Sequence, residues 1–194
     1  MVHTGMGPVQ MNSLLTTLNL PPVDTSTLKR HELKIDKTLE AVAKESCLEA
    51  QKEEKKRGDG MVEVSFDRGW QKRGTGWNYD SNTGHSSLIG KETGKVLEFS
   101  WRSKSCHTCM LHQGKNHPIP VHDCCKNWEG SSKAMEPDMA ISMARHMSDA
   151  GCPIDVIHRD NDSTTASRLK SVFPNIQKMT PTIRKRVLHL SFIN

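Results

Sequence analysis

The chain has 194 residues, 35% of them hydrophobic and 25% charged, enough to fill one modest core. Lysine and arginine number 27 against 22 acids, and the resulting net charge of +5 permits nucleic-acid binding without establishing it. No apolar run approaches the roughly 18 residues of a membrane span, and residues 1–7 lack the basic-then-apolar pattern of a secretory leader, so neither an integral membrane protein nor a secreted one is expected.

Leu14, Leu15 and Leu18 fall at helical spacing, and Pro21-Pro22 closes that helix. A longer helical pattern follows the cap candidates Ser26 and Thr27, through Leu28, Leu33, Ile35, Leu39, Val42, Ala43 and Leu48. It decays into a solvated charge run over 51–57, and Gly58-Asp59-Gly60 breaks it. Residues 1–60 therefore read as an N-terminal helical extension, and 61–194 as the main domain.

From Met61 the period changes to two. Val62, Val64 and Phe66 alternate with Glu63, Ser65 and Asp67, a half-buried strand ending on an acid. Residues 68–84 read mostly as loop and 85–89 as a second short strand. Gly90-Lys91-Glu92-Thr93-Gly94 is a hairpin turn into a third strand, with Leu97, Phe99 and Trp101 on one face. Past an irregular stretch comes a helix around 137–150, whose stripe of Met135, Met139, Met143 and Met147 belongs in a core, with Gly151 as its stop. Ile154, Val156 and Ile157 make a fourth strand running into Asp160-Asn161-Asp162. Ser163 or Thr164 caps a helix through Val172, 176–179 is a fifth strand, and 182–190 a last helix. A meander followed by strand–helix alternation implies an α/β chain: a mixed sheet with flanking helices, an order that suits the ribonuclease-H-like fold.

Ligands of open α/β sheets gather beyond the carboxyl ends of the strands. If the first and fourth strands are parallel neighbours, Asp67 and Asp160 meet at one such end. Close carboxylates repel, and a divalent cation between them relieves the repulsion; two such metals serve phosphoryl transfer. The structural reading is that Asp67 caps a loop and Asp160-Asn161-Asp162 is a turn. Glu136 opens the helix after the meander, either complementing the helix dipole or reaching the strand ends.

Six cysteines in a chain without a leader point to thiols or metal ligands, not disulfides. Cys106-His107-Thr108-Cys109, followed by His122-Asp123-Cys124, offers three sulfurs and a nitrogen, a tetrahedral zinc set of Cys106, Cys109, His122 and Cys124. Cys125, His112 and His117 are substitutes, and free thiols beside surface histidines are the alternative. With all four positions filled, such a zinc is structural. Cys47 and Cys152 read as small core residues. Trp70, Lys72, Arg73 and Trp77 put aromatics beside cations just after the first strand, either to contact bases and phosphates or to pack under the loop. Residues 163–194 carry Arg168, Lys170, Lys178, Arg184, Lys185 and Arg186 but no acid, a tail that suits a phosphate backbone or a solvated helix face.

Several stretches, taken in order over roughly 61–165, resemble the Mutator-like transposase domain of animal transposable elements. They are Val64-Ser65-Phe66-Asp67-Arg68-Gly69-Trp70-Gln71-Lys72-Arg73-Gly74, Gly84-His85-Ser86-Ser87-Leu88, Thr93-Gly94-Lys95-Val96-Leu97, the Cys/His set, Gly130-Ser131-Ser132-Lys133-Ala134-Met135-Glu136-Pro137 and Asp160-Asn161-Asp162-Ser163. The resemblance implies an incomplete ribonuclease-H-like core that cuts and joins DNA with carboxylates and Mg²⁺, and a zinc-binding insert at about 103–127. It implies Asp67 as the first acid and Asp160 or Asp162 as the second, Asp160 being nearer the strand end. Transposases of this type usually take a third acid from a later helix. No Asp or Glu follows Asp162 here, which leaves Glu136 as the substitute.

The expectation is a truncated, decayed or domesticated copy, weak or inactive alone. Its implied partner is the DNA of transposon ends, in the nucleus, and a homo-oligomer is compatible with this. The alternative function is a non-catalytic, zinc-stabilised module that binds nucleic acid or protein.

Overall fold

The computed structural model describes residues 7–72, 80–113, 118–158 and 163–179. The chain divides between Ser46 and Cys47 into two compact units. The first holds α1 (Pro8–Thr17) and the start of α2 (Thr25–Arg57). α1 ends before the proline pair, where Asn19 takes a left-handed φ of 55°. The link that follows is pinned by Asn12, whose side-chain amide donates to the Val23 carbonyl and accepts from the Val23 N–H, both at 2.9 Å. Asp24, not Ser26 or Thr27, caps α2: its carboxylate accepts the backbone N–H groups of Ser26 at 2.9 Å and Thr27 at 3.2 Å. The expected cap residues are donors instead, and the Ser26 hydroxyl, ahead of the Thr27 N–H, lowers the pKa of Asp24. Leu33, Ile35, Leu39 and Val42 of α2 are exposed.

Sequence reading ends the extension at residue 60, but the structure draws 47–60 into the second unit. Cys47, Ala50, Gln51 and Glu54 on the last turns of α2 are buried. Glu54 is fully enclosed, and its carboxylate accepts the N–H groups of Glu92 and Thr93 and the Thr93 hydroxyl at 2.6–2.9 Å. Gln51 donates to the Leu97 carbonyl at 2.8 Å.

The rest of this unit is β1 (Glu63–Trp70), β2 (Thr83–Gly90), β3 (Val96–Ser103), α3 (His107–His112), α4 (Ser132–Asp149), β4 (Val156–His158), α5 (Ser163–Val172) and β5 (Gln177–Met179). The strands form one five-stranded mixed sheet in the order β3-β2-β1-β4-β5. β1, β2 and β3 are antiparallel neighbours, while β1, β4 and β5 run parallel. Both hairpin strands are longer than expected. β1 continues past Asp67 to Trp70, because Arg68, Gly69 and Trp70 pair with Ser86, His85 and Gly84. Asp67 therefore lies within a strand, not at its end. The turn between β2 and β3 closes with the Gly94 N–H on the Gly90 carbonyl at 3.0 Å, Gly94 at φ 67°. A register shift beside Leu88 and Ile89 frees Leu97 from the alternation. Leu97 is completely buried, whereas Phe99 is half-buried and Trp101 is 42% exposed, so the expected shared face is split.

Val64, Phe66 and Leu88 point to one side of the sheet and are buried in the core with Met143, Ala144 and Met147 of α4 and Leu169 of α5. All four stripe methionines have zero exposure. Ser131 caps α4, accepting the Ala134 N–H at 3.3 Å. The helix stops as expected at Gly151 (φ 76°), with the Cys152 N–H bonded back to the Met147 carbonyl and the Gly151 N–H to Ser148. Cys47 and Cys152 are buried thiols. No helix of the described residues is long and apolar enough to cross a membrane. The expected helix at 182–190 lies outside the described residues.

Candidate metal centre and neighbouring carboxylates

The chain leaves β3 at Ser103 and returns beside it at Asn127. Asn127 accepts the Ser103 N–H on its side-chain oxygen at 2.7 Å, while the N–H groups of Asn127 and Trp128 both reach the Ser103 carbonyl at 3.0 Å. This clasp closes the insert at its base. Sequence reading missed it, since an isolated Asn before Trp carries no spacing signal. Among its described residues the insert has one turn and a half of helix, α3, and otherwise irregular backbone, so there little but side chains can hold it together.

Those side chains converge. Cys106 precedes α3, Cys109 lies on its first turn, and His122 and Cys124 come from the returning segment; their donor atoms all lie within 4.8 Å of one another. The closest approaches are Cys106 Sγ to His122 Nε2 at 3.2 Å, Cys109 Sγ to His122 Nε2 at 3.4 Å and Cys109 Sγ to Cys124 Sγ at 3.6 Å. Bonds of about 2.3 Å to sulfur and 2.0–2.1 Å to nitrogen give a tetrahedron with edges of about 3.5–3.8 Å, so the donor set fits a metal ion such as zinc. His122 Nδ1 lies 2.8 Å from the Pro120 carbonyl. Donation there leaves the Nε2 lone pair for the metal, the outer-shell bond that fixes a ligating tautomer.

Without metal the hydrogen bonds within the cluster favour a Cys106 thiolate beside a protonated His122. The Cys109 backbone N–H, and then His122, pull the Cys106 thiol down to about 5. His122 is raised to about 9, first by its bond to Pro120 and then by Cys106 and Cys124. Hydrogen bonding to Cys124 pushes Cys109 up to about 11. A metal must displace the protons on Cys109 and His122, so its binding strengthens as pH rises. Cys125 is not one of the four converging donors: its thiol donates to the Ser105 carbonyl at 3.5 Å, and burial, followed by a hydrogen bond to Cys106, raises its pKa, while His112 Nδ1 lies 2.9 Å from the Thr108 carbonyl. His117 lies outside the described residues.

Asp67 is exposed on the sheet face opposite the core, opposite Ser87 of β2, and its Oδ1 accepts the Arg68 N–H at 2.9 Å. Arg68, the next residue, points to the other face and forms an ion pair with buried Glu136 of α4. Glu136 also accepts from the Thr165 hydroxyl at 3.3 Å. The Arg68 partnership was missed because it joins residues far apart in sequence. Trp70 lies against Gly84, where a Cβ would come within 2.5 Å of the indole. Lys72 forms an exposed ion pair with Asp80 at 2.7 Å. Arg73, Asp160, Asp162, Arg184, Lys185 and Arg186 lie outside the described residues.

The family model for the Mutator-like transposase matches residues 1–187. No curated protein and no solved structure matches the chain.

Proposed function

Because the chain belongs to the Mutator-like transposases, we propose that its sheet-bearing unit is an incomplete ribonuclease-H-like core, descended from an enzyme that cuts and joins DNA strands. One observation carries this reading: β1 and β4 lie side by side and run parallel, with Ser65 opposite His158. Asp67 is two residues beyond Ser65 on β1, and Asp160 is two residues beyond His158 in the sequence. The strand order, with an antiparallel meander continued by parallel strands, suits the same fold. Asp67 is exposed and spends one hydrogen bond on its neighbour's N–H, so it remains available to a hard cation.

In this reading Asp67 and Asp160, with Asp162 as the alternative second acid, hold Mg²⁺. When bound, Mg²⁺ favours deprotonation of an attacking water or 3′-hydroxyl and stabilises the leaving oxygen of a DNA phosphodiester. Glu136 would have to give up Arg68 to join them. Trp70, Lys72, Arg73 and the basic run Arg184-Lys185-Arg186 contact DNA at transposon ends; the exposed Lys72–Asp80 pair is weak enough to yield to a phosphate. The Cys106, Cys109, His122 and Cys124 set holds zinc and orders the insert. The protein works in the nucleus, as a homo-oligomer where two DNA ends are joined.

The test is Mg²⁺-dependent nicking of terminal-inverted-repeat DNA by the wild type and by Asp67→Asn. Loss of nicking in the variant supports the assignment, and equal nicking rejects it. The engagement of Glu136 by Arg68 favours a second reading, a non-catalytic DNA-binding module. It expects salt-sensitive binding, no nicking, and indifference to Asp67→Asn.

A further inference from the structure

The face of the sheet opposite the core is ordered by register. Residues directly opposite across antiparallel strands share a face. Asp67, Ser87 and Phe99 therefore make one row across β1, β2 and β3, and Gly69, His85 and Trp101 make the next. His85 is exposed and Trp101 is 42% exposed. Position 69 has no side chain, and the imidazole of His85 occupies the space: a Cβ there would lie 2.2 Å from His85 Nε2 and 2.4 Å from Cε1. The ring thus lies down on β1 instead of standing off the sheet. Among the described residues neither the imidazole nor the indole makes a hydrogen bond. His85 and Trp101 are cross-strand partners in register, and their row is one pleat repeat, about 7 Å, from Asp67.

We propose that His85 and Trp101 form a stacking platform for an unpaired DNA base next to the strand handled at Asp67. The identification of the ligand as DNA rests on the functional reading above, but the platform does not depend on strand cutting. A π surface presented on a sheet face recognises the face of a base, and base faces are open only where DNA is unpaired. Inside a paired duplex those faces are stacked on one another, leaving the backbone, the groove edges and the outer faces of the terminal pairs. Ser65, Ser87 and the Asp67 carboxylate share this face with half-buried Ile89 and Phe99, so apolar surface for the plane of a base lies beside groups that hydrogen-bond its edge.

The experiment measures binding of the full chain, by fluorescence anisotropy and without added magnesium, to two labelled probes. One is a blunt duplex, and the other is the same duplex with a short unpaired 3′ flank. The wild type binds the flanked probe more tightly. Trp101→Ala weakens flanked-probe binding by roughly five- to a hundred-fold and leaves blunt-duplex binding within about two-fold. Trp101→Phe keeps most of the preference, and His85→Ala loses part of it. Equal weakening on both probes, no preference in the wild type, or self-association abolished by Trp101→Ala each overturn the platform. Loss of it with nicking intact leaves the functional reading standing; absence of nicking with the flank preference intact rejects only the catalytic reading.

Discussion

Glu63 shows how a single residue near the proposed site ties charge to stability. Its carboxylate is held by Lys91 at 2.6 Å and by His158 of the neighbouring strand. Burial works to raise its pKa, but the hydrogen bonds from Lys91 and His158 outweigh burial and the group titrates below its ordinary value of 4.5. A carboxylate depressed in the folded state contributes stability that is fully present above its unfolded pKa. That contribution is lost as pH falls through the lower, folded value. Urea titrations of the wild type between pH 6 and 3 are expected to show a falling midpoint. In Glu63→Gln the midpoint at pH 6 is lower and the acid-side slope is shallower. An unchanged slope would mean that the pair is screened by solvent.

At the scale of elements, the joint between α2 and the hairpin turn depends on Glu54. Three donors converge on its buried carboxylate, and Glu54→Ala leaves the Glu92 and Thr93 N–H groups without an acceptor. The expected cost is about 1–3 kcal/mol, read from denaturant midpoints, with hydrogen exchange accelerated first at 90–95. Nothing in the sequence marked Glu54, which sits inside a charge run that reads as solvated. Elements with a local cause were readable: the methionine stripe by its period, the end of α4 by Gly151, the hairpin by its glycines. The Cys/His set was readable because ligand spacing is itself local. What depended on pairing was not. The length of β1 beyond Asp67 comes from its partner β2, and burial of Leu97 comes from a register shift. The Arg68–Glu136 contact and the Asn127 clasp join residues brought together only by the sheet. Strand alternation also sends Asp67 and Arg68 to opposite faces, although their neighbourhood in sequence suggests a single site.

Across the sheet-bearing unit as a whole, two kinds of cohesion sit on either side of Ser103 and Asn127. The sheet and α4 are held by buried apolar surface: Val64, Leu88, Met143 and Met147 need no ligand to pack. Among its described residues the insert has no buried apolar cluster of its own; Met110, Leu111, Ile119 and Val121 are all exposed. Its order must come from the clasp and from the four-donor cluster, which could hold a metal such as zinc; the binding free energy of a metal there would become folding free energy for a segment of this kind. Removing metal with a chelator is therefore expected to raise hydrogen exchange across 104–113 and 118–126 while amides of α4 between Met139 and Met147 stay protected. Cys106→Ser should reproduce that pattern and lower the bound zinc measured by metal analysis. Acid should do the same, because protons return to His122 and the thiols as pH falls. If chelation instead melts the whole unit in one transition, the insert is part of the core and the metal supports the sheet itself. If neither chelation nor Cys106→Ser changes anything, the four donors hold no metal, and the clasp at Ser103 and Asn127 suffices to order the insert.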